Sequence, residues 1–80
     1  MKIKNNLPQK FNYNNIYFCK DITKKHMYKC FTYGSGRIIG YVDFEDILDG
    51  YTFIPGEKVA FSQRAIKEIL SFIEQCNNLS

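Results

Sequence analysis

Eighty residues with a formal net charge of +3 and 45% hydrophobic content make one small domain, which buries only about 60% of the surface its unfolded chain exposes. A chain of that size seldom encloses a cleft, which argues against an enzyme, and it holds no apolar run of about 18 residues that would read as a membrane span. Charge is divided between the halves: residues 1–40 hold eight Lys or Arg against one acid, Asp21, whereas residues 41–80 hold three against seven, an asymmetry that points to a basic and an acidic docking face.

Residues 1–10 are polar, include Pro8 and lack a hydrophobic period. They read as a flexible leader, without the apolar stretch of a signal peptide, ahead of a single α+β domain over residues 11–80. Residues 12–19 alternate as a strand requires, with Ile16 and Phe18 on one face and Tyr17 and Cys19 on the other. A polar connection over residues 20–25 leads to a second strand at 26–33, where Met27, Lys29, Phe31 and Tyr33 share one side and His26, Tyr28, Cys30 and Thr32 the other. Gly34, Ser35 and Gly36 then mark a hairpin turn into a third strand at 37–44. Its period assigns Ile38, Gly40, Val42 and Phe44 to one face and Arg37, Ile39, Tyr41 and Asp43 to the other. Asp49-Gly50 signals another turn, residues 51–54 a short fourth strand, and Pro55-Gly56 its end, with 59–61 adding a few extended residues.

The last element has the strongest period. Ile66, Ile69, Leu70 and Ile73 fall at helical spacing, Ala65, Phe72 and Cys76 widen the stripe, and Arg64, Lys67, Glu68, Ser71, Glu74 and Gln75 occupy the other side, which predicts an amphipathic helix over 63–77. Ser62 is placed to cap it, and Phe61 to pack on Ile66 as a hydrophobic staple. The expected architecture is a three- to four-stranded antiparallel β-meander with one C-terminal amphipathic helix packed on one face. A single helix covers one face only, so the other is exposed or is buried by a partner.

Four constellations resemble chemistry. Gly34, Gly36 and Gly40 lie one position away from G-x-G-x-x-G, but a dinucleotide loop must open a helix, and the β-branched run from Arg37 is extended. Asp43, Glu45, Asp46 and Asp49 crowd before Gly50, yet a calcium loop counted from Asp43 would place Ile47 at position 5 and Ile54 at position 12, where oxygen ligands belong. Cys19, Cys30, Cys76 and His26 have the number of a zinc set without its short chelating step, and strand geometry separates His26 from Cys30. The cysteines read as reduced thiols, since three without a C-x-x-C pair are no secreted disulfide framework, and the protein reads as cytoplasmic. No metal or cofactor is expected. The fourth constellation is basic and aromatic: Lys20, Lys24, Lys25, Tyr28 and Lys29, with Arg37 across the hairpin, would suit phosphates and stacked bases.

Two resemblances follow. The order of elements is similar to the small β-meander-plus-helix domains with which mobile-element integrases enter a DNA groove. Residues 36–77 resemble small phage or mobile-element accessory proteins, through Gly40-Tyr41-Val42, Gly50-Tyr51-Thr52-Phe53-Ile54-Pro55, and Phe61-Ser62 opening a helix with Ile66, Ile69 and Phe72. Some proteins of that kind inhibit host defence, anti-CRISPR proteins among them, and the resemblance implies action by binding rather than catalysis. DNA-mimicking inhibitors are strongly acidic, which this net basic chain is not, and no site residue transfers from a known inhibitor.

The sequence therefore supports a non-enzymatic protein-binding module, of the kind that inhibits a host defence or CRISPR effector complex, with Tyr41, Asp43, Glu45, Asp46 and Asp49 as its contact residues. The alternative is a small nucleic-acid-binding domain using Lys20, Lys24, Lys25, Tyr28, Lys29 and Arg37. A homodimer would also hide the surplus of seven Phe and six Tyr.

Overall fold

A computed structural model describes residues 9–79; of the leader read over residues 1–10, residues 1–8 lie outside the described residues, and its last position, Lys10, already belongs to a strand. Five strands, β1 (Lys10–Asn12), β2 (Ile16–Lys20), β3 (Tyr28–Thr32), β4 (Ile38–Glu45) and β5 (Gly50–Pro55), precede one helix, α1 (Gln63–Leu79). The strands form one antiparallel sheet in sequence order, so every connection is a hairpin.

The fifth strand arises where one was expected. Asn14 and Asn15 break the segment read as continuous, Tyr13 donates its amide to the Ile16 carbonyl at 2.9 Å, and the chain before the turn folds back on β2 with Phe11 opposite Phe18. Asparagine suits such a turn because its side chain tolerates tight backbone geometry. Residues 59–61 form no strand; Val59 and Phe61 instead pack on the core.

Helix α1 begins at the expected cap, with the Ala65 amide donating to Ser62 Oγ at 3.1 Å and the Ile66 amide to the Ser62 carbonyl at 3.0 Å. Its rotation differs from the reading. Ala65, Ile69, Phe72 and Cys76 are buried, whereas Ile66 and Leu70 are each 54% exposed. Phe72 decides this: its ring stacks on Phe18 at 4.0 Å and meets Phe11 and Tyr28 edge-on at 4.8 and 5.0 Å. Phe61 packs edge-on to Phe53 at 5.4 Å, and Ile66 at the expected staple position is left half exposed. Glu68 anchors one flank by accepting from the Asn15 amide and side chain, Gln75 accepts from the Tyr13 hydroxyl, and Asn77 Oδ1 accepts from the Tyr51 amide of β5.

One irregularity assigns the faces of β4. Phe31 pairs with Ile38 while Cys30 pairs with Gly40, so Ile39 is an extra residue in β4. This bulge reverses the period before it: Ile38 turns to the uncovered face and Ile39 becomes core, the opposite of strict alternation. Gly40 follows the bulge under the ring of Phe53, where an added Cβ would lie 2.4 Å from Cζ and 2.8 Å from the Ile54 carbonyl oxygen. At the turn before β4, Gly36 supplies the positive φ of 68°, its amide bonded to the Thr32 carbonyl at 2.9 Å.

Two substitutions test this packing. Gly40→Ala is expected to lower unfolding free energy by about 1–3 kcal/mol in urea titration, since the Ile54 carbonyl cannot rotate away as a ring tip can. Tyr28 is fully buried, and its hydroxyl has no hydrogen-bond partner among the described residues. Tyr28→Phe removes that orphaned group and is expected to leave stability unchanged or raise it by about 1–3 kcal/mol.

Candidate functional site

The pairing registers place two rows of side chains across the face opposite the helix. One row runs Lys10, Cys19, Lys29, Tyr41, Ile54; the other runs Asn12, Tyr17, Phe31, Ile38. Every residue in these rows keeps contact with solvent, and Ile38 and Ile54 are 37% and 46% exposed. Among the described residues no second layer covers them. This face is the candidate site.

Its centre is aromatic. Tyr17 and Phe31, opposite each other on β2 and β3, stack at 5.0 Å with planes 9° apart, and Tyr33 leans on Tyr17 at 4.9 Å while its hydroxyl donates to Asn12 Oδ1 at 2.7 Å. Lys10 Nζ lies 4.8 Å from the Tyr17 ring centroid. The rings therefore brace one another and lose little further freedom when a partner arrives. Around them the charges are mixed: Lys10 and Lys29 on the β1–β3 side, Asp43 and Glu45 along the same face of β4.

The structure divides the predicted protein-contact residues between two places. Tyr41, Asp43 and Glu45 alternate along β4 on the open face, whereas Asp46 and Asp49 sit in the β4–β5 hairpin tip, which the Asp49 amide closes onto the Asp46 carbonyl at 3.1 Å. Asp49 itself takes the positive φ of 55° there.

The predicted nucleic-acid residues do not share one surface. Tyr28 is core, beneath Phe72, and has no ring face to offer a base. Lys20 shares Tyr28's side of the sheet and turns back on its own hairpin, its Nζ donating to the Lys24 and Lys25 carbonyls at 3.1 and 2.8 Å. Lys29 Nζ lies 3.9 Å from Asp21 Oδ2. The carboxyl of Asp21 is held below its ordinary range, chiefly by the hydroxyl and amide of Thr23 and further by Lys29 and the Lys24 amide. Lys24 and Lys25 are exposed at the β2–β3 tip, and Arg37 is exposed at the opposite end of the sheet, in the β3–β4 turn.

Sequence reasoning missed Lys10, Phe31, Tyr33, Ile38 and Ile54 as members of the face. Alternation grouped Tyr17 with Cys19 on one strand and Lys29 with Phe31 and Tyr33 on the next; what was lacking was the register that joins the two sets, β1, and the bulge that turns Ile38 outward. His26 lies exposed beside Phe44 and Tyr51, with ring centroids 6.0 and 6.4 Å apart, while Cys30 and Cys76 are buried. No group of three His, Cys, Asp or Glu converges among the described residues, and no helix there is long and apolar enough to cross a membrane. Compared with family models, curated proteins and solved structures, the chain matches none.

The cysteines give a test of which face is open. Burial pushes the Cys30 and Cys76 thiols up to about 12, and Glu68 adds to the shift at Cys30. At pH 8 iodoacetamide should label Cys19 first, with the other two reacting only after denaturation, as peptide mass mapping would show. The raised thiols also bind protons more tightly folded than unfolded. Their contribution to stability is complete below their ordinary value of 9.0 and is lost as pH rises through about 12; the urea midpoint should fall across that window.

Proposed function

We propose that this chain is a non-enzymatic protein-binding module and that it holds its partner on the open face of the sheet. The observation that carries this reading is the make-up of that face: aromatic and aliphatic side chains, Tyr17 stacked on Phe31 with Tyr41, Ile38 and Ile54 beyond them, with a rim of both charge signs. Protein interfaces have this anatomy, an aromatic centre that excludes water within a polar border. The resemblance of residues 36–77 to small phage and mobile-element proteins supplies the kind of partner we propose, a host defence complex such as a CRISPR effector in the cytoplasm, with inhibition by occupancy. No cofactor enters this reading.

Nucleic acid suits the face less well. A base stacks on a ring face, and Tyr17 already has Phe31, Tyr33 and Lys10 against it. A backbone track needs a continuous line of cations, whereas Lys24 and Lys25 lie at one end of the sheet and Arg37 at the other.

A photo-reactive amino acid at Thr52, beside Asp43 on the open face, should crosslink the partner in cells, and the same group at Lys67 on the exposed side of the helix should not. Adding Tyr41→Glu and Ile54→Lys should reduce capture at least tenfold without changing the circular dichroism. Capture that is equal from both positions, or indifferent to the double substitution, refutes the open face as the docking surface. Oligonucleotide binding that weakens steeply with salt and is lost in Lys24→Glu/Lys25→Glu would favour the nucleic-acid alternative.

A further inference from the structure

The meander places two hairpin tips of opposite sign side by side. Strand β2 runs toward the tip at residues 21–27 and β4 toward the tip at 46–49, so both tips occupy the same end of the sheet, with β3 and β4 adjacent between them. His26 at the foot of one tip reaches Phe44 and Tyr51 at the foot of the other. The first tip carries Lys24 and Lys25, exposed, while Lys20 is drawn inward and stiffens the loop; Asp21 braces it further through the Thr23 and Lys24 amides. The second carries Glu45, Asp46 and Asp49, all exposed. Two strand spacings separate the hairpins, about 10 Å.

Both tips also present aliphatic side chains that the fold does not use. Ile22 is 93% exposed on the basic tip, and Ile47 and Leu48 are 89% and 68% exposed on the acidic one. Isolated exposed aliphatics are ordinary on a protein surface, but these three crown the same end of one sheet, at turn positions where Gly, Asn or Asp would serve the backbone better.

We infer that this end of the sheet pairs with a second copy of the chain about a two-fold axis between the tips. A patch with a positive and a negative half becomes its own complement when rotated by 180°, which is the requirement of an isologous dimer. In that arrangement Lys24 and Lys25 of each copy face Glu45 and Asp46 of the other, and Ile22 closes on Ile47 and Leu48. The pairing matches the opposite charges of the two tips and covers their three exposed aliphatics, and it leaves the aromatic centre of the open sheet face available. The contact is small, so it is a weak, salt-sensitive dimer with a dissociation constant on the order of 100 µM.

The test exploits the two signs. Lys24→Glu/Lys25→Glu makes both tips acidic, and Glu45→Lys/Asp46→Lys makes both basic; Asp49 is left alone because of its backbone conformation. In sedimentation velocity at about 0.5 mM protein and low salt, the wild type should be largely dimeric. Each variant should be monomeric with unchanged circular dichroism, and an equimolar mixture of the two variants should recover a dimer. Adding Ile47→Ser/Leu48→Ser to the wild type should weaken the dimer at least tenfold. A monomeric wild type under these conditions, or variants that remain dimeric alone, overturns the inference, as does a mixture that stays monomeric.

Discussion

The stack of Phe72 on Phe18 orients the rest of the molecule. A sheet of five strands has two faces to bury, and the described residues include one helix with which to do so. Phe72 meets Phe18, Phe11 and Tyr28 together, and such ring pairs contribute about 0.5–1.5 kcal/mol each beyond the area they bury. Domains of this length retain only roughly 4–12 kcal/mol in total, so the cluster settles which side of the sheet is interior. Everything on the opposite side is surface as a consequence.

The edge contacts of the helix follow from that docking. With Ala65, Ile69 and Cys76 aligned with Phe72 toward the sheet, Glu68 and Gln75 fall over the β1–β2 hairpin and Asn77 over the Tyr51 amide near the start of β5. The carboxylate and two amides thus tie strand-end groups at both margins of the sheet, β1 on one side and β5 on the other. The Ile66 and Leu70 flank, which has equal helical period, finds no place in the core.

The open face acquires its chemistry from two departures from regularity. The β1–β2 turn brings Lys10 and Asn12 beside Cys19 and Tyr17, and the Ile39 bulge exchanges the sides of Ile38 and Ile39. Together they extend an aromatic pair into a surface five strands wide. The residues with familiar catalytic character do not converge: two thiols lie in the core and Cys19 on the open face, His26 sits at a hairpin foot, and Asp43 and Glu45 line the open face of β4 while Asp46 and Asp49 sit in the turn that follows. The ring of Phe53 over Gly40 closes the glycine-rich segment that looks in sequence like a phosphate loop.

Period and turn chemistry by themselves determined the class of this protein and most of its elements. Alternation in residues 16–20 and 28–32 made strands and grouped Tyr17 with Cys19 and Lys29 with Phe31, because side-chain direction along a strand is a local property. Ser62 set the start of the helix, and Gly34-Ser35-Gly36 and Asp49-Gly50 set two hairpins, for equally local reasons. Only the tertiary structure decided which of two apolar helix stripes is buried, that Ile39 is a bulge, that Tyr28 is interior while Tyr41 is not, and that the basic and acidic tips share one end. Those outcomes depend on pairings between residues far apart in the chain: Phe72 with Phe18, Cys30 with Gly40, and Phe11 with Phe18. Local spacing records which residues can share a face, whereas packing between distant elements selects the face that is covered.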